Sequence, residues 1–205
     1  MGIDRLAPWY QAVEYAAFGR ALERCRFAYL DRLKDARRIL LAGEGDGRVL
    51  QRLLAIAPRA TFDVIDASPV MIQLSKSRAG HDPRVRFRCE DIRTARLDTY
   101  DAAAVFFFLD WFGEADARTV AAVINDALAP GGIWLHGDFA VPPGGRWQRR
   151  HAEVWLWTMY RFFGLPGPLP PLPAILAEAG LRRVEGSTQR WGMIASEMLR
   201  KPPVG

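Results

Sequence analysis

The chain has 205 residues, half of them hydrophobic and a quarter charged, with a formal net charge of +5. That length suits one domain with a full core, and no apolar run nears the roughly 20 residues that a membrane-spanning helix needs. Three of the 28 basic residues are lysine, and the arginines are scattered rather than run together, so no stable nucleic-acid partner is expected.

The first residues, MGIDRLAPWYQAVEY, lack a basic-then-apolar signal pattern, and a cytoplasmic location is the expectation. Cys25 and Cys89 stand far apart without a CxxC partner and read as two buried thiols. His81, His136 and His151 lack metal-ligand spacing, so no metal is expected.

Residues 9–33 show helical spacing through Trp9, Val13, Ala16, Ala17 and Leu22. RRILLA (37–42) is a short apolar strand, followed by a glycine loop and an amphipathic helix over 47–57. ATFDVIDA (60–67) is a second strand ending near Asp66. Ser68 as N-cap and Pro69 at the first helical position then start a helix over 68–79. RVRFRCED (84–91) is a third strand, and the apolar stretch in YDAAAVFFFLDWF (100–112) suits a strand buried on both faces.

A helix over 114–129 stops at Pro130-Gly131-Gly132, and IWLHGDF (133–139) is a fifth strand. An aromatic-rich helix covers 146–164, a proline-rich connector 165–173 and a short helix 173–180. Two closing strands are read at 181–187 and 190–199. Strands alternating with helices predict an α/β, Rossmann-like, doubly wound and mostly parallel sheet. In such sheets the ligand sits beyond the carboxyl ends of the strands, where strand order reverses.

The loop ILLAGEGDGRVL (39–50) decides what that ligand is. Gly43, Gly45 and Gly47 permit a tight turn and close backbone approach. The dinucleotide fingerprint GxGxxG is not met, because its third glycine falls one residue early and Arg48 holds the place. Glu44 and Asp46 would also face a pyrophosphate, and two unit charges 4 Å apart cost about 4 kcal/mol at an effective dielectric of 20. S-adenosylmethionine has a sulfonium, an ammonium and no phosphate, and meets no such penalty. Asp66 and Asp91 end the second and third strands, placed for a ribose and an adenine edge, with Ile92 beside the ring.

The chain resembles the class I S-adenosylmethionine-dependent methyltransferases, in particular the small-molecule group that includes the ubiquinone/menaquinone C-methyltransferases. The resemblance rests on GEGDG, DASPVMI, CEDI, YDAAAVFFFLDWF and LAPGGIWLHGDF, and spans roughly residues 37–140. It implies a seven-stranded sheet whose last strand is antiparallel, and S-adenosylmethionine as cofactor with S-adenosylhomocysteine as product. It places Gly43, Glu44 and Gly45 at the methionine part, Asp66 at the ribose, Ala67 and Met71 around the adenine, and Asp91 and Ile92 at its edge. Phe107 and Phe108 would close the floor near the methyl group. Many members have an acid two residues before the first glycine, where this chain has Leu41.

Methyl transfer from a sulfonium leaves a neutral group, so alignment and exclusion of water matter most. A base is needed only for an oxygen or nitrogen acceptor. Asp138, two residues after His136, and Asp110 stand at strand ends as the catalytic candidates near the acceptor. Tyr10, Trp111 and Tyr160 are the candidate acceptor contacts. No Asn-Pro-Pro-Tyr motif follows the fourth strand, which argues against exocyclic adenine-amine or glutamine-amide acceptors.

The organisation read from the sequence is a single domain over 1–205. It comprises an N-terminal helical lid (1–35), a cofactor core (36–140), an inserted helix with its connector (141–173) and a C-terminal helix with a strand pair (174–205). The expected partner is a small apolar or aromatic methyl acceptor, and the expected state a monomer or homodimer. An RNA or protein methyltransferase, a nucleotide-dependent oxidoreductase and a non-catalytic S-adenosylmethionine-binding module remain as alternatives.

Overall fold

The structure is a computed structural model and describes residues 18–142, 145–163 and 168–203. Seven strands form one sheet: β1 (Arg38–Ala42), β2 (Thr61–Asp66), β3 (Val85–Cys89), β4 (Tyr100–Phe106), β5 (Leu128–Phe139), β6 (Arg182–Gln189) and β7 (Ile194–Arg200). Their order is β3-β2-β1-β4-β5-β7-β6. β7 runs antiparallel to both its neighbours, and the other strands are mutually parallel. This is the sheet predicted from the sequence.

The helices follow the predicted alternation: α1 (Ala21–Phe27), α2 (Arg48–Ile56), α3 (Pro69–Ala79), α4 (Glu114–Ala127), α5 (Arg146–Phe163) and α6 (Leu172–Glu178). The central strands are apolar on both faces, as two-sided burial requires: Ile39, Leu40, Leu41, Ala103 and Val105 have no exposed surface. One face packs against α4 and α6 through Val120, Ala121, Ile124 and Ile175. The other packs against α2 and α3 through Val49, Leu50, Leu53 and Ile72. The Ser68 hydroxyl accepts the Met71 amide at 3.2 Å, so the predicted N-cap starts α3.

Three elements depart from the prediction. The helix read over 9–33 is shorter within the described residues: α1 spans seven residues, and a 3-10 turn follows at Leu30–Leu33. Gly19, in the left-handed region (φ 56°), breaks the pattern before α1; residues 9–17 lie outside the described residues. Second, β5 starts at Leu128, so Pro130-Gly131-Gly132 lies inside a strand. Lys201 explains this: its amide donates to Gly132 O, its carbonyl accepts Gly131 N, and its ammonium caps Asn125 O and Leu128 O. Third, the apolar run 100–112 is a strand only to Phe106 and then turns through Leu109–Trp111.

Cys25 is buried and Cys89 is exposed, which corrects the reading of two buried thiols. Cys89 is the last residue of β3, an edge strand of the sheet. No described helix is long and apolar enough to cross a membrane.

Candidate cofactor and active site

Sheet order reverses between β1 and β4, so the loops following β1, β2 and β4 converge on one crevice. A cavity of about 200 Å³ lies there. Its glycine-loop wall is Gly43 to Asp46, its β2 side is Asp66, Ala67, Ser68 and Met71, and its β4 side is Phe106, Phe107, Phe108 and Trp111.

The loop adopts a conformation its glycines allow. Gly43, Gly45 and Gly47 all have left-handed φ, 63°, 71° and 88°. A side chain at Gly43 would overlap the Phe108 ring, whereas one at Gly45 would meet nothing within 4 Å. At Gly47 a Cβ would come 2.8 Å from Ser75 Cα, so that glycine serves the close approach of α2 to α3.

Neither loop acid presents a free carboxylate to a ligand. Glu44 Oε1 accepts the amides of Val49 (2.9 Å) and Leu50 (3.0 Å) at the N-terminus of α2. A carboxylate of the chain itself thus fills the amide nest that a phosphate would need. Burial pushes the Glu44 pKa up to about 7, against the pull of those amide bonds. Asp46 is buried and ion-paired to Arg48 at 2.9 Å and Arg78 at 3.2 Å.

Asp66 stands at the end of β2 and its Oδ1 accepts the Ser68 amide at 2.8 Å. Opposite it, Arg26 of α1 lines the cavity with its guanidinium 4.8 Å from the centre of the Phe107 ring. Sequence reading missed Arg26; its signal was a basic residue inside an otherwise buried helix face beside Leu22 and Cys25.

Other predicted site residues lie elsewhere. The Asp91 carboxylate is held by Arg93 through its amide and guanidinium, the latter at 2.6 Å, and does not line the cavity. Ile92 packs in the core with Ala42 and Ile65. Tyr10 and the side chain of Tyr160 fall outside the described residues.

Asp110 and Asp138 meet each other rather than the cavity. Asp138 is almost fully buried; its Oδ1 accepts the Phe139 amide at 2.8 Å and its Oδ2 the Asp110 amide at 3.3 Å. Burial, and after it the Asp110 charge, hold the Asp138 carboxyl well above the usual carboxylate range. The pair sits behind the β4 turn that carries Phe107 and Phe108. His136 is also buried, and burial pushes its pKa down to about 4, so it is neutral. No cluster of three or more metal-ligating side chains occurs among the described residues.

Pockets that hold drug-sized ligands are usually about 300 Å³ or larger. The cavity falls short because Phe108 rests on Gly43. The donor set suits an adenosyl group: an acid at the second strand end, Ala67 and Met71 for a flat base, and open backbone at Gly45.

Residues 39–132 match the family model described as a methyltransferase domain. The chain is similar to the malonyl-[acyl-carrier protein] O-methyltransferase of Bacillus anthracis, 31% identical over 130 residues, covering 62% of this chain and 47% of that protein. The corresponding protein of Bacillus cytotoxicus is 34% identical over 103 residues, covering 50% of this chain and 35% of that one. The chain thus spans about half the length, or less, of these relatives.

Among solved structures, the N-methyltransferase NodS of Bradyrhizobium japonicum WM9, in complex with S-adenosyl-L-homocysteine, superposes with a TM-score of 0.66 at 21% identity, over 88% of each chain. An O-methyltransferase family protein of Burkholderia thailandensis gives a TM-score of 0.74 at 18% identity, over 98% of this chain and 60% of that one. At these identities the likeness concerns the fold.

Proposed function

We propose that this chain is an S-adenosylmethionine-dependent methyltransferase acting on a small, apolar or aromatic molecule. The observation that carries the proposal is the Glu44 carboxylate on the amides of Val49 and Leu50. It removes the phosphate nest of a nucleotide enzyme while leaving an adenosine-sized wall at Asp66, Ala67 and Met71. The methyltransferase-domain match over 39–132, and likeness to a malonyl-[acyl-carrier protein] O-methyltransferase and to the N-methyltransferase NodS, support the same reading.

In this reading Asp66 receives the ribose hydroxyls, and Ala67 and Met71 flank the adenine. Gly43 and Gly45 bring their backbone to the methionine part, and Arg26 faces its carboxylate. When bound, the cofactor supplies a methyl group on a sulfonium, whose departure leaves a neutral thioether and needs no acid. The chain's own work is alignment and exclusion of water. Phe106, Phe107, Phe108 and Trp111 close the cavity on its β4 side.

Asp138 and Asp110 do not reach that space, so we assign them a positioning role. The Asp138 carboxylate ties the amides of Asp110 and Phe139 together and holds the turn bearing Phe107 and Phe108. Several arginines elsewhere are held in ion pairs, as Arg32 with Glu185, Arg84 with Asp82 and Arg93 with Asp91 and Asp116, which fits a small-molecule acceptor better than RNA. The test is incubation with methyl-labelled S-adenosylmethionine and a panel of aromatic and apolar acceptors. Label in an organic-soluble product supports the reading; binding without transfer to any acceptor favours a non-catalytic module.

A further inference from the structure

A second and larger concavity, about 1060 Å³, opens between α5 and the turn joining β6 to β7. Its walls are mainly Trp155 and Val154 of α5 and Trp191 and Met193 of the turn. Thr158, Thr188 and His151 supply its polar groups, and among the described residues neither a carboxylate nor a guanidinium lines it. It lies at the carboxyl edge of the sheet, the edge that holds the cofactor crevice. Pro142 follows the end of β5, Thr188 is near the end of β6, and Met193 precedes the antiparallel β7.

Two features separate this groove from an ordinary surface dip. One is the backbone of its turn. Arg190 (φ 51°), Trp191 (φ 56°) and Gly192 (φ 89°) are three successive residues in the left-handed region, two of them with side chains. Such strain persists where the surroundings impose it, and it clusters at ligand clamps. Here it holds Trp191 outward, 86% exposed, over the groove. The turn is tied down by Met193, whose carbonyl accepts the Ala140 amide at 2.9 Å.

The other feature is a wall of packed rings shared with the cofactor crevice. Trp155 meets Phe18 edge-on at 5.4 Å, Phe18 meets Phe139 at 5.4 Å, and Phe139 meets Phe107 at 5.3 Å. Phe107 lines the cofactor cavity and Trp155 lines the groove. Phe18, Phe107 and Phe139 belong to one buried cluster, so the two concavities share an apolar wall. Three ring spacings are too long for a one-ring acceptor to touch both ends.

We propose that the groove binds the distal, non-reacting end of an elongated, neutral, planar aromatic acceptor, seated against Trp155 and Trp191. Flat indole faces favour a flat ligand by stacking. The absence of charge among the lining residues favours a neutral one, since an ion would leave water without a partner. Thr158 and Thr188 offer hydroxyls to a ring carbonyl or hydroxyl. The proposal deepens the methyltransferase reading and rests on it for the word acceptor; the binding site itself stands on the groove.

The experiment is calorimetric titration of the protein with flavone, with palmitate and, separately, with S-adenosylhomocysteine. It is repeated on Trp191→Ala, at an exposed position that leaves the core intact, and on Thr158→Trp, which fills the groove from exposed α5. We expect flavone to bind the parent chain, Trp191→Ala to weaken it about tenfold and Thr158→Trp to abolish it, with S-adenosylhomocysteine affinity unchanged in both. Flavone affinity equal in all three proteins, no flavone binding, or palmitate binding tighter than flavone overturns the proposal. Loss of S-adenosylhomocysteine binding in the parent chain, with Trp191-dependent flavone binding kept, removes the methyltransferase reading and leaves the groove as a binding site.

Discussion

The Glu44 carboxylate lies 3.0 Å from the Leu50 amide, at the mouth of α2 and six residues along the chain from its own backbone. An acid in a glycine loop thus serves as the built-in anion of the helix that follows. The contact sets the electrostatics of the site, because the positive end of α2 is answered before any ligand arrives.

The same contact gives a pH dependence. The Glu44 pKa is raised by burial to about 7 from an ordinary 4.5, so between those values the folded chain binds more protons than the unfolded chain. Stability from this group therefore falls as pH rises from about 4.5 to about 7. Glu44→Gln keeps an oxygen acceptor and cannot ionise. Relative to the parent, it should gain on the order of 2 kcal/mol of stability across that window, read by urea unfolding at pH 5 and pH 8. A constant difference at both pH values contradicts the assignment.

Asp66→Ala should weaken S-adenosylhomocysteine binding at least tenfold, about 1.4 kcal/mol. The Asp66 carboxylate accepts the Ser68 amide at a helix start, so the fold should survive with a modest loss in Tm. Unchanged affinity in the folded variant removes the ribose role.

The two inner glycines separate binding from folding. Gly45→Val places a β-branched residue at φ 71° with no neighbour within 4 Å, so it should fold, with a strain cost of about 1–2 kcal/mol, and lose cofactor binding. Gly43→Ala drives a methyl into Phe108 and should lower Tm by several degrees more. Thermal melts with and without S-adenosylhomocysteine check both; a Gly45→Val variant that melts as the parent and is still stabilised by the ligand contradicts the loop geometry.

The thiols should differ in reactivity. Burial pushes the Cys25 pKa up to about 12, and its thiol bonds the Ala195 carbonyl, whereas Cys89 is exposed. Ellman titration of the native protein should count one thiol, and two in denaturant. Two fast thiols in the native protein would show that α1 does not stay docked on β7.

Local signals were legible in the sequence. Ser68-Pro69, the spacing of Gly43, Gly45 and Gly47, and the two-sided apolar β4 each act over a few residues; the helix and the loop formed where their patterns predicted, and β4 over the first part of its apolar run. Pairings between distant residues were not legible. Asp110 and Asp138 are 28 positions apart and meet because β4 and β5 are neighbours. Lys201 reshapes the start of β5 from the far end of β7. Arg26 reaches the crevice only because α1 docks on β7, through Ser196 Oγ donating to the Cys25 carbonyl at 3.1 Å. Asp91 is the opposite case: Arg93, two residues on, was a visible local partner that competes for the carboxylate assigned to the adenine edge.

The most direct measurement of the central claim is calorimetric titration with S-adenosylmethionine, S-adenosylhomocysteine and NADH in parallel. The Glu44-filled helix mouth and the Asp66 wall predict micromolar binding of both adenosyl ligands and none of NADH. Binding of NADH with neither adenosyl ligand would contradict the account, because a pyrophosphate would then sit where Glu44 holds the amides of Val49 and Leu50.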